Sequence, residues 1–95
     1  TMSKALDDLQ FRALADSFIH LANESSETIS PDHVSAALNY AASRYAAFVA
    51  SLKSQSHEQY TASKGEAMEF FVGQYESMLR DNLDDHDENY EAHRQ

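Results

Sequence analysis

The chain has 95 residues, a formal net charge of −9 and no cysteine. This balance excludes a basic footprint for nucleic acid or anionic lipid. Without thiols it can form no disulfide, no thiolate nucleophile and no cysteine-held zinc.

No apolar run approaches the ~18 residues of a membrane span. The first residues also lack a signal-peptide pattern, so a cytoplasmic location is expected. The length suits a single domain over 1–95. Hydrophobic residues make up 42%, but fourteen of them are alanine and only eighteen are Leu, Ile, Val or Phe. So thin a core favours burial in an oligomer.

Two glycines and one proline leave little turn chemistry, and the apolar residues recur with helical period. The first helix is predicted over about 4–25. Phe11, Leu14, Ala15, Phe18, Leu21 and Ala22 form one stripe, with Asp16, His20, Asn23 and Glu27 opposite. The second runs over about 31–53. Ser30 suits a cap, Pro31 the first helical position and Asp32 the positive end of the macrodipole. Its large stripe is Val34, Leu38, Ala41, Tyr45, Phe48, Val49 and Leu52. A small-residue face of Ala36, Ser43, Ala47 and Ala50, with Tyr40 among them, lies opposite and permits close helix approach.

The third helix is predicted over about 56–91, opened by the capping-box pattern of Ser56 and Gln59. Met68, Phe71, Val72, Tyr75, Met78, Leu79 and Leu83 form its stripe. Gly65 and Gly73 interrupt it, and Gly65 is either a point of backbone approach or a tolerated defect. The short link from Lys53 implies antiparallel neighbours. The fold class is therefore all-α: an antiparallel three-helix bundle with a long third helix that dimerises. That helix is long enough to overhang its bundle or to bend near 82–85.

The chain ends in DNLDDHDENYEAHRQ, where six carboxylates and Arg94 give −5 and leave −4 on the first eighty residues. The stretch fails as a calcium loop. Tyr90 stands where glycine is needed, and no bidentate Glu follows. His86 and His93 are seven residues apart, about 10 Å of helical rise, too far to share one ion on a single helix. Instead His86, Tyr90 and His93 continue the apolar stripe. Like-charged pairs four apart, such as Asp81 and Asp85, oppose an isolated helix, so docking is expected to stabilise this end.

Asp16, Ser17 and His20 do not converge as a catalytic triad must, and Asp16, His20 and Glu24 read as a solvated face rather than a metal site. His33 is expected at the surface, Arg44 in an ion pair with an acid of helix one or three, and Phe70 on a second contact surface. No phosphate-cradling loop, H-E-x-x-H or dinucleotide fingerprint occurs. No catalytic residue, cofactor or metal ligand is expected.

FRALADSFIHLANE, VSAALNYAASRYAAFVAS and MEFFVGQYESMLRDNLDD together resemble a family of short proteobacterial proteins known as a domain of unknown function. The resemblance implies a bacterial origin and carries over no activity or site residue. The residues themselves suggest a non-catalytic interaction or adaptor module whose partner is itself, with another protein as an alternative partner. The candidate interface is Ala36, Tyr40, Ser43, Ala47, Ala50, His86, Tyr90 and His93. The alternatives are an acidic decoy for a nucleic-acid-binding protein and, behind it, a metal-dependent enzyme.

Overall fold

The computed structural model describes residues 4–93, with three long α-helices, one short one and no strand among them. The chain groups into two units that meet inside the second helix, one ending at Tyr45 and the other starting at Ala46.

In the first unit, α1 covers Asp8–Ser25. It begins four residues later than the predicted start near residue 4, and a reciprocal cap is the reason. Asp7 is extended and its Oδ1 accepts from the Gln10 backbone N–H at 2.8 Å, while Gln10 Oε1 accepts from the Asp7 N–H at 3.1 Å. The helix closes in the polar NESSET stretch. There the Ser26 N–H and hydroxyl both donate to the Ala22 carbonyl at 3.0 Å, and the Ile29 N–H reaches the Ser25 carbonyl at 3.0 Å. These bonds satisfy carbonyls that a helix end would otherwise orphan.

The second helix, α2, covers Pro31–Leu52. Ser30 accepts from the His33 N–H through its hydroxyl (3.3 Å) and from the Val34 N–H through its carbonyl (3.0 Å). Proline suits the first helical position because the N–H it lacks has no intrahelical acceptor there.

The second unit contains the end of α2, the linker 53–56, α3 over His57–Glu88 and α4 over Tyr90–His93. Ser56 is extended and its hydroxyl accepts from the Gln59 N–H at 3.0 Å. The return bond of the expected capping box is displaced by one residue, since Gln59 Oε1 accepts from Gln55 rather than Ser56. At 32 residues α3 spans about 48 Å, against about 33 Å for the 22 residues of α2. It runs through 82–85 as helix and stops at Asn89, short of the expected 91. Asn89 leaves helical backbone (φ −120°, ψ 37°), and its side-chain amide donates to the Asp85 carbonyl at 3.2 Å and to Asp85 Oδ1 at 3.1 Å.

No described residue is fully buried. The apolar positions are helical as predicted, but the stripes form no buried core: Phe18 is 55% exposed, Leu79 42% and Leu83 61%, and of their large residues Val34, Val49 and Phe71 are half-buried. Half-buried positions on α3 follow their own helical stripe, Tyr60, Ser63, Ala67 and Phe71. At 100° per residue this stripe lies about a third of a turn round the helix from Met68, Val72, Tyr75, Leu79 and Leu83. So α3 has a half-buried face in its first half and a separate exposed apolar face along its second half.

Candidate interaction surface on the exposed helix faces

The eight expected interface positions fall in both units. In the first, Ala36 is exposed, Tyr40 is 64% exposed and the Ser43 hydroxyl donates to the Tyr40 carbonyl at 2.7 Å. A serine tied to its own helix presents a small, satisfied surface. Arg44 does not show the expected carboxylate partner. Its guanidinium carbon instead lies 5.9 Å from the Tyr40 ring centroid, one turn back on the same helix. The i, i+4 geometry brings these two together without any second element.

In the second unit, Ala47 is exposed and Ala50 half-buried. His86 lies in the last turn of α3 and His93 ends α4, while Tyr90 opens α4 and is 53% exposed. The residue between them, Asn89, interrupts the helix. His86 and Tyr90 are therefore not consecutive turns of one continuous helix.

The polar constellation of α1 is local. His20 Nε2 lies 2.7 Å from Glu24 Oε1, one turn along an exposed face. The Ser17 hydroxyl donates to the Leu14 carbonyl at 2.6 Å, away from any nucleophile role with His20. Among the described residues no three His, Asp or Glu side chains converge on a point that could hold a metal ion. Gly65 admits no neighbouring backbone, because a methyl group built on it meets nothing within 4 Å, and the same holds for Gly73. Of its two readings, the tolerated defect stands.

Two shallow concavities lie in the second unit. One is at the α2–α3 linker, lined by Ser51, Ser54, Gln55, Ser56, His57 and Tyr60. The other is on α3 itself, between Glu76, Leu79, Arg80, Leu83 and Asp84. There Arg80 Nη2 donates to Glu76 Oε1 at 2.7 Å. Leu79 and Leu83 protrude beside this pair as an apolar ridge. Periodicity alone places both leucines in the core stripe and does not single them out as surface. The signal that could have marked them is the ordered charge at their flank, with Glu76, Arg80 and Asp84 each one turn from the next.

The family of proteins of unknown function named DUF3144 matches this chain over residues 11–86, most of its length. The chain belongs to the DUF3144 family. A solved structure with a similar fold is the NMR structure of the protein NB7890A from Shewanella sp, a proteobacterium. It is 33% identical, covers 95% of this chain and 96% of its own, and superposes with a TM-score of 0.77. No curated protein matches. The DUF3144 match stops at His86, so Tyr90 and His93 lie beyond the matched residues. No helix of the described residues is long and apolar enough to cross a membrane.

Proposed function

We propose that this DUF3144 protein is a small, acidic, non-catalytic interaction module that completes its apolar core by pairing with a second copy of itself. The observation that carries the reading is the exposure of every large apolar stripe. Exposed apolar surface of this kind is stabilising once covered and promotes association while it is open.

Within each copy, the four-residue linker 53–56 favours α2 and α3 as antiparallel neighbours in a three-helix bundle. The shielded face of Tyr60, Ser63, Ala67 and Phe71 and the small-residue face of α2 suit that close approach. The acidic surface keeps the assembly soluble and repels nucleic acid and anionic lipid. The module works among cytoplasmic proteins.

Light scattering with sedimentation equilibrium tests the reading. The expected mass is about twice 10.7 kDa at micromolar concentration. A monomer mass maintained at high micromolar concentration overturns it.

A further inference from the structure

If two copies pair, they must share a surface, and the second unit contains one that is complementary to itself. Along α3, Met68, Val72, Tyr75, Leu79 and Leu83 form the exposed apolar face, turned away from the shielded stripe of the helix's first half.

Charge then decides in which direction a second copy fits. From 81 to 91 the chain has six carboxylates and no Lys or Arg, whereas the preceding stretch of α3, 57–80, has four acids against Lys64 and Arg80. Two parallel α3 helices would stack one acidic end on the other. An antiparallel pair instead places each acidic end against the more nearly neutral middle of the other copy.

We infer that two copies pair through the C-terminal half of α3, antiparallel, about a two-fold axis close to residue 81, with Leu79 of each packed against Leu83 of the other. This rests on the homodimer reading and adds its surface and register.

The same register has an electrostatic consequence. Position i of one copy faces position 162 − i of the other, so Asp84 of the second copy comes level with residue 78, two residues (about 3 Å of rise) from Arg80. Antiparallel helices bring like flanks together, and Arg80 and Asp84 lie on the same flank of the leucine ridge. The two-fold axis therefore creates two Arg80–Asp84 pairs between the copies. Each Arg80 retains the Glu76 contact seen at 2.7 Å, which holds its guanidinium over the concavity. Each Glu76 comes level with His86 of the other copy. One patch thus supplies both halves of every contact, as a two-fold interface requires.

Two measurements test the inference on the full chain. The first exploits the absence of native cysteine and the open space around both glycines. Gly73→Cys and Gly65→Cys variants with spin labels should give inter-copy distances of about 25 Å and about 50 Å respectively, because each residue of separation from the axis adds twice the helical rise. Equal distances at the two sites mean parallel pairing or an axis midway between them, and a shorter distance at 65 than at 73 puts the axis nearer the start of the helix. Either result overturns the inference while leaving a homodimer standing, whereas absence of any inter-copy signal from a monomeric protein defeats both.

The second measurement mixes charge variants. Arg80→Glu and Asp84→Arg should each weaken self-association by about tenfold, and their equimolar mixture should associate more tightly than either alone. An Arg80–Asp84 contact within one helix cannot give that recovery. A mixture no tighter than its components rules out the register.

Discussion

Arg80 reaches back one turn along α3 to place its Nη2 2.7 Å from Glu76 Oε1, with both side chains about two-thirds exposed. In the isolated helix such a pair contributes little. Glu76→Gln is expected to lower the stability of the folded chain by no more than about 0.5 kcal/mol. Urea unfolding at low and moderate salt checks this, and the small difference should shrink as salt rises. A loss several times larger would mean that the pair is much less exposed in solution.

The Asp7–Gln10 cap fixes where α1 begins. Asp7→Ala removes the acceptor for the Gln10 N–H and should cost about 1 kcal/mol, with Asp7→Asn nearly neutral. Amide exchange provides the local readout, with loss of protection in the first turn of α1 and little change in α3. Uniform loss of protection along the chain contradicts a local cap.

The two helix-interior glycines are an opportunity for stabilisation. Each sits in α3 with open space where a side chain would grow. Gly65→Ala and Gly73→Ala should each stabilise by about 1 kcal/mol, raising the melting temperature without altering the oligomer mass. Destabilisation at Gly65 would show that a neighbouring backbone approaches there in the assembly.

The apolar ridge of α3 gives the strongest expected effect on association. Leu83→Glu puts a charge into the proposed seam and should abolish pairing at micromolar concentration. Glu27→Gln, just beyond the end of α1 and far in sequence from the ridge, should leave the mass unchanged. Sedimentation velocity distinguishes the two variants directly.

Much of this architecture is legible in the sequence, and the exceptions have identifiable causes. Ser30–Pro31 places the start of α2, and the Phe11–Leu14–Phe18–Leu21 stripe marks α1 as helical, because capping and periodicity are local. Periodicity starts α1 too early because it does not register the side-chain bonds by which Asp7 and Gln10 cap the helix. It ends α3 too late because the helical period runs on through Tyr90 and His93 and does not register the break in backbone conformation at Asn89. Arg44 suggests an acid across helices, while its own i−4 tyrosine is nearer. The candidate interface shares this limit. Tyr40 and Tyr90 are exposed, as an interface residue in a lone chain must be, but periodicity ranks Leu79 and Leu83 as core whether the surface that covers them belongs to the same chain or to another.

Completion of the apolar core between copies is tested most directly by thermal unfolding over a hundredfold range of protein concentration. Folding coupled to pairing predicts a Tm that rises steadily with concentration, since mass action favours the associated state. A Tm independent of concentration, together with a monomer mass at every dilution, would contradict the account.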